Sequence, residues 1–240
     1  MKSAALLFAL LLPGSAWATS ARADPLEPFV ATYQAYNAGK LAGNATMRLV
    51  RNAEPQWRVD LGIRGNHGFA GIVGLNIEQS TVFDAVNGSF RPLTQSTVRK
   101  AIFFGKKTLG VYDWSSRTAR WQGDLKDERK QAVALQDGDM SALLINLAII
   151  RDAEPGKQLH YRFVDGGRVR DHAYQIAEAT ENVVVGDLSY EAMRVSRTNS
   201  GNDETILWVA SGVPTPIRIL QRSDGQDGID LRLIEYQGTQ

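Results

Sequence analysis

The sequence predicts a mostly β protein whose strands form an antiparallel meander, closing as a barrel or a rolled, spiral sheet, with one buried α-helix. Three observations predict this fold. Alternating apolar and polar runs recur after residue 24, turn residues separate them at short intervals, and the alternation stops only once, over residues 139–151. No long linker or fixed-period repeat divides residues 24–240, so we expect a single β-rich domain.

Residues 1–23 are predicted to be a secretory signal peptide. Lys2 supplies the positive start, residues 4–12 are a continuous apolar run, and small residues place cleavage after Ala18 or after Ala23. The apolar run is much shorter than the roughly 20 residues that cross a bilayer, and the chain has no cysteine to carry a lipid anchor. We therefore expect a periplasmic protein that is neither membrane-spanning nor a lipoprotein.

The strands follow one another from the first alternating run to the last. Before the interruption we predict strands at 28–36, 41–50, 56–63, 69–77, 80–83, 90–99, 101–112 and 117–122. After it we predict strands at 158–164, 168–177, 182–185, 190–197, 205–210, 217–222 and 229–236. The clearest hairpin turns at Asp165-Gly166-Gly167, with Leu159, Tyr161 and Phe163 facing one way and His160 and Arg162 the other.

The segment 139–151 is the one predicted helix. Its side chains are apolar nearly all round, Asp139 is suited to cap its start, and Arg151 places a cation in its last turn. A helix that is apolar on every side must be covered, so we expect it to lie against or plug the concave side of the sheet. A further pair of buried strands is the alternative, because the Leu and Ile content suits both.

The composition excludes several kinds of protein. The chain has no cysteine, 27 Lys and Arg against 26 Asp and Glu, and three histidines. It therefore cannot be a cysteine enzyme or hold zinc through thiolates, and its balanced charge argues against nucleic-acid binding. The histidines, His67, His160 and His172, lack metal-ligand spacing, although the last two could be cross-strand neighbours, so we predict no metal site and no cofactor.

No catalytic motif occurs in the sequence. Serine-hydrolase, Walker and dinucleotide-binding signatures are missing, and the aspartates at 224, 227 and 230 match a polar hairpin tip better than a calcium loop. We predict no catalytic residues, yet a carboxylate-based envelope hydrolase or glycan-modifying enzyme remains an alternative, because its acid and base can converge in space. Asp139 and Glu191 are its candidate carboxylates, with helix capping and a solvent-facing strand position as their structural explanations.

A basic and aromatic stretch covers residues 99–107. An anionic lipid or glycan surface could bind such a mixture. Lysines beside an apolar strand are also a common protection against aggregation, and from the sequence we favour this second explanation.

The favoured function is therefore binding and not catalysis. We expect the curved sheet of a soluble envelope protein to bind a lipid or another apolar ligand, or a protein partner. Apolar clustering indicates a mouth near Trp57, Phe69, Ile72, Phe103 and Trp208. A filled concave side would favour an interaction protein, and an open one a carrier.

Several stretches, taken in order, resemble a known bacterial family. They are 29–33 with Gly39, Gly43 and Met47; 90–92; 139–143 leading to Arg151 and Gly156; and 207–210 followed by Pro214 and 216–218. The chain resembles the family catalogued as domain of unknown function 3108. The resemblance implies an exported, mostly β protein of Gram-negative envelopes, and it carries no known activity or site residue.

Overall fold

One large sheet forms the fold, in a computed structural model that describes residues 26–68, 75–102, 104–199 and 201–239. Its fifteen strands lie in the order β8-β7-β6-β5-β4-β3-β2-β1-β15-β14-β13-β12-β11-β10-β9. The strands are β1 (Phe29–Asn37), β2 (Lys40–Ala53), β3 (Gln56–Gly65), β4 (Asn76–Val86), β5 (Ser89–Ala101), β6 (Phe104–Asp113), β7 (Thr118–Gly123), β8 (Val133–Ala134), β9 (Asp139–Met140), β10 (Gln158–Asp165), β11 (Arg168–Val185), β12 (Leu188–Arg197), β13 (Asp203–Ala210), β14 (Arg218–Ser223) and β15 (Gln226–Gly238).

The predicted antiparallel meander is confirmed, but of the two predicted ways of closing, a barrel or a rolled sheet, the barrel is wrong. Sequence neighbours pair antiparallel, and β1 pairs antiparallel with β15; β9 and β10 form a parallel pair. Within the described residues, no backbone pairing joins β8 to β9. These two edge strands have two residues each, which is too short for a ladder that could close the ring.

Two pairs of predicted strands are single strands in the structure. Residues 77 and 80–83 belong to the continuous strand β4, and residues 69–74 lie outside the described part of the chain. The segments 168–177 and 182–185 are both parts of β11, which continues through a register irregularity between Ile176 and Thr180. A β-bulge keeps such a strand paired while it breaks the alternation that sequence reasoning depends on.

The predicted helix is present as α1 (Ala142–Asp152), and a 3₁₀ turn covers Asp127–Lys130. Asp139 does not cap the helix, as the sequence suggested, because it lies in β9 with its carboxylate bound to Arg162. Ser141 is the cap, and its Oγ accepts from the Leu144 amide at 3.4 Å. Arg151 lies in the last turn, as predicted.

Most of the core lies on one face of the sheet, which we call the inner face, although on β13 the side chains of both faces are buried. Strand register and alternation put Val59, Thr81 and Gln95 on this face, together with Tyr33, Met47 and Leu207. All six side chains are buried. The inner face is therefore the side on which a ligand cavity would have to form.

Side-chain contacts cross the seam between the two edges of the sheet. The Tyr112 hydroxyl on β6 donates to the Val164 carbonyl on β10 at 2.6 Å, and Arg162 donates to the Ala134 carbonyl on β8 at 3.4 Å. Tyr112, Trp121 and Val164 belong to a small apolar cluster of their own. The sheet is thus rolled until its edges touch, without the backbone hydrogen bonds of a barrel.

Candidate functional site

Helix α1 fills the part of the inner face where a barrel-like carrier would hold its ligand. It packs against β3, β4, β5, β9 and β10. Six of its residues are buried, and Leu144, Ala148 and Ile149 are completely inaccessible. The residues that the sequence pattern assigned to a plug are therefore core side chains in contact with the sheet.

Polar contacts hold the start of α1 in this position. The Ser141 hydroxyl lies 2.8 Å from the Thr81 hydroxyl on β4, and both side chains are inaccessible to solvent. The Ala142 amide donates to the Asp165 carboxylate at 3.2 Å. A carboxylate near a helix N-terminus also interacts favourably with the helix dipole.

The end of α1 is held as well. Arg151 pairs with Asp152 at 2.6 Å and stacks over the Phe90 ring at 4.7 Å, and its guanidinium also donates to the Gly88 carbonyl. The Tyr161 hydroxyl on β10 donates to Asp152 at 3.0 Å. Both ends of the helix are thus tied to the sheet, which identifies α1 as a fixed part of the fold.

Two of the five predicted ligand-binding residues, Trp57 and Trp208, belong to the described part of the chain, and they lie on opposite faces of the sheet. Trp57 is 4% exposed, and its ring lies under the Arg51 guanidinium at 4.8 Å. Trp208 is 6% exposed and lies on the opposite face from Trp57, because its strand neighbour Leu207 occupies the inner face. The remaining three predicted residues, Phe69, Ile72 and Phe103, lie outside the described residues.

Trp208 has a structural role on the outer face. Its indole N–H donates to Glu181 at 2.8 Å, and the Arg218 guanidinium lies 4.8 Å from its ring centre. Arg218 and Arg232 both pair with Asp230 at 2.8 Å. This network spans β11, β13, β14 and β15 and satisfies polar groups that would otherwise be buried unpaired.

The best-formed clefts of the described residues open at the surface, away from α1. The larger, of about 440 Å³, lies between the β12–β13 and β14–β15 turns and is lined by Arg197, Asn202, Glu204 and Arg222 among others. Arg222 is paired with Asp227 at 2.6 Å. A smaller cleft of about 200 Å³ is lined by 183–185, Ile217, Arg218 and Arg232. Neither contains two carboxylates, so neither has the arrangement of a carboxylate hydrolase.

A buried aromatic group surrounds His172 on β11. Its imidazole stacks on Phe163 with ring centres 4.6 Å apart, and its Nδ1 lies 3.4 Å from the Tyr174 hydroxyl. Burial, together with repulsion from Arg197 and Arg170, lowers the pKa of His172 to about 4. The ring is therefore neutral at physiological pH and a poor general base. The suggested pairing of His160 with His172 is wrong, because Tyr161 is opposite His172.

The candidate catalytic carboxylates lie far apart. Asp139 on β9 is inaccessible, and both of its oxygens accept from Arg162 at 2.6 Å. Glu191 is exposed on β12, two strands beyond β10. Burial raises the pKa of Asp165 to about 6, but this carboxylate accepts from the Ala142 amide at the start of α1 and lines neither cleft.

A family model described as a protein of unknown function, DUF3108, matches residues 31–232. The chain belongs to the DUF3108 family. The match runs from β1 into β15 and so includes α1 and both edges of the sheet. No curated protein sequence matches the chain. Nor does any helix of the described residues combine the length and apolar character needed to span a bilayer.

One solved structure supports the fold of this DUF3108 chain. A β-barrel-like protein of the DUF1849 family from Brucella abortus has a TM-score of 0.52 at 10% identity, covering 90% of this chain and 99% of that one. A DUF1089 family protein from Pseudomonas aeruginosa has a TM-score of 0.37 at 12% identity, covering 72% and 87%. The first likeness shows a shared barrel-like fold at a low level of identity.

Two features of the DUF3108 chain escaped sequence reasoning. The Asp139–Arg162 pair joins residues 23 positions apart across a parallel pairing, and nothing in the local pattern marks it. Asp165 looked like an ordinary turn residue, although it is also a partner of the helix N-terminus. Its place just after an apolar strand was the only signal.

Proposed function

We propose that this DUF3108 protein is an exported, periplasmic component of the cell envelope that works by binding, without catalysis, and that it uses its outer surface and strand ends for this. The observation that carries the proposal is the position of α1. The helix occupies the inner face with side chains that are fully buried, which favours an interaction protein over a carrier of an interior ligand.

Export is supported by the signal-peptide layout of residues 1–23. The absence of catalysis is supported by the separation of Asp139 from Glu191 and by the engagement of Asp139 with Arg162. An ion-paired carboxylate without access to solvent cannot exchange protons with a substrate. The proposal is therefore supported by the signal-peptide layout of residues 1–23 and by the occupation of the inner face by α1.

Two measurements test export. Fractionation of cells and the intact mass of the purified protein should show a periplasmic chain cut after Ala18 or after Ala23, whereas a variant lacking residues 2–23 should stay in the cytoplasm. An uncut full-length chain in the cytoplasm would refute export.

Native mass spectrometry tests the absence of an interior ligand. Protein purified from the periplasm should show the mass of the chain alone, before and after incubation with a lipid extract. Leu144→Ala is a positive control, because removing a fully buried side chain leaves a cavity that small apolar probes can enter. A lipid retained by the unmodified protein would refute the proposal and would favour a carrier of an interior ligand.

A further inference from the structure

Two large apolar side chains project from the hairpin that joins β5 to β6. Ile102 is 64% exposed and Phe104 is 57% exposed. Phe104 is the only aromatic side chain among the large exposed hydrophobics of the described residues. Exposing them to water is unfavourable, and clustered exposed apolar groups often mark an interaction site. The apex of this hairpin is thus an unpartnered apolar tip.

Four cations lie directly behind this tip, on residues 99–107. Arg99 is directly opposite Lys106 in the ladder, Lys100 is opposite Gly105, and Lys107 is opposite Val98. Among the described residues, none of the four cations lies within ion-pair distance of a carboxylate. Like charges directly opposite each other destabilise a strand pair. Folding therefore gains nothing from this arrangement, whereas an anionic partner would relieve it.

Protection of a sheet edge, which the sequence pattern favoured, does not account for the tip. β5 is paired with β4 on one side and β6 on the other, and β7 together with the Asp124 backbone covers β6 up to Lys107. In the described part of the chain, residues 104–106 are the part of β6 that has an open edge, and so short an edge needs little protection. Edge protection also gives no reason to expose Phe104 and Ile102 in the same place.

We propose that the β5–β6 tip, which consists of residues 99–102 and 104–107 in the described part of the chain, docks onto the surface of a bilayer that contains anionic phospholipid. Ile102 and Phe104 enter the boundary between head groups and acyl chains, and the four cations lie at the level of the phosphates. Apolar side chains at an apex with cations two or three residues behind them match this layered chemistry.

The inference goes beyond the proposed function and is tested separately from it. Vesicle binding by the purified, processed protein does not depend on where the cell keeps it. A failure of export or of the native mass test therefore leaves this result unaffected, and the reverse also holds.

The first test is co-sedimentation with vesicles of phosphatidylethanolamine, with or without phosphatidylglycerol. The protein should bind the vesicles that contain phosphatidylglycerol and leave the neutral ones unbound. Lys106→Glu should weaken binding roughly thirtyfold, since it changes the charge by two units and each unit near an anionic surface contributes on the order of 1 kcal/mol. Lys157→Glu makes the same charge change at an exposed residue paired only with Glu154, and should leave binding within about twofold.

The second test reports insertion at the tip. Because the chain contains no cysteine, Ile102→Cys creates a unique site for an environment-sensitive NBD label. Its emission should rise several-fold on anionic vesicles. The same label at Val184→Cys should not respond, since Val184 is exposed on the β11–β12 hairpin, whose turn is at the other end of the sheet.

Three results would overturn the proposal. They are equal binding to neutral and anionic vesicles, equal responses of the two labels, and no vesicle binding at all. The third result would favour an acidic protein as the partner of the tip.

Discussion

Two buried groups on neighbouring strands, Asp165 and His172, have pKa values that are shifted in opposite directions. The pH dependence of stability therefore tests the structure. Burial raises the pKa of Asp165 from 3.8 to about 6, against the opposing effects of the Ala142 amide and Arg168. Burial lowers the pKa of His172 from 6.5 to about 4. The perturbations we consider are Asp165→Asn and His172→Gln, which each remove one titration and leave the other.

The signs of the two effects follow from proton linkage. Between about pH 4 and pH 6 the folded state holds a proton on Asp165 that the unfolded state has lost, so this group makes stability fall as pH rises. Over nearly the same range the unfolded state holds a proton on His172 that the folded state lacks, so this group makes stability fall as pH falls. Each slope is about 1.4 kcal/mol per pH unit, and the two cancel in the unmodified protein.

Urea unfolding at several pH values between about 4.5 and 6 measures both slopes. The unmodified protein should show a nearly constant free energy of unfolding. Asp165→Asn should become more stable as pH rises, by about 2 kcal/mol across the range, and His172→Gln should become less stable by a similar amount. Asp187→Asn, an exposed turn variant, is the control and should stay level. Level profiles in both variants, or slopes of the same sign, would refute the burial of these groups.

The remaining predictions concern stability at neutral pH, measured by the same unfolding assay. Gly43→Ala would place Cβ only 1.9 Å from a backbone carbonyl oxygen of β3 and should cost about 2 kcal/mol or more, whereas Gly62→Ala has open space around its Cβ and should be nearly neutral. Asp139→Ala leaves the Arg162 guanidinium without its buried partner and should cost about 3 kcal/mol. Asp137→Ala breaks only exposed ion pairs and should change stability by less than about 0.5 kcal/mol; equal losses for the two aspartates would contradict the assigned burial.

Much of the fold was predictable because side-chain alternation reports directly which face of a strand is buried. The hairpin 158–165 illustrates this, since Leu159 and Tyr161 are buried and His160 is exposed, as its alternation predicts. The start of α1 was less predictable. Asp139 and Ser141 are both good caps, and only the distant Arg162 determines that the aspartate belongs to β9. Long-range ion pairs of this kind leave no local pattern.

The candidate site was harder to predict than the fold. Apolar clustering cannot distinguish a residue that lines a cavity from one that fills a core, and Trp57 is of the second kind. Trp208 shows a further difficulty, because residues on both faces of β13 are buried and alternation then carries no information. The basic and aromatic stretch at 99–107 was visible in the sequence, but its interpretation depended on which side chains are exposed and on how β5 is paired. The exposure of Phe104 and the position of β5 inside the sheet changed the interpretation.

The chain topology, and not the packing of a single side chain, places α1 on the inner face. Parallel strands cannot be joined by a tight turn and need a crossover, usually a helix. β9 and β10 are parallel, so residues 141–157 must cross from one end of the pair to the other, and α1 makes that crossing on the inner face. Emptying this face would require the loss of the β9–β10 pairing, the Ser141–Thr81 contact and the Asp139–Arg162 ion pair together. A ligand that merely fits the sheet would have to break all three contacts to enter, which supports the proposal of binding at the surface.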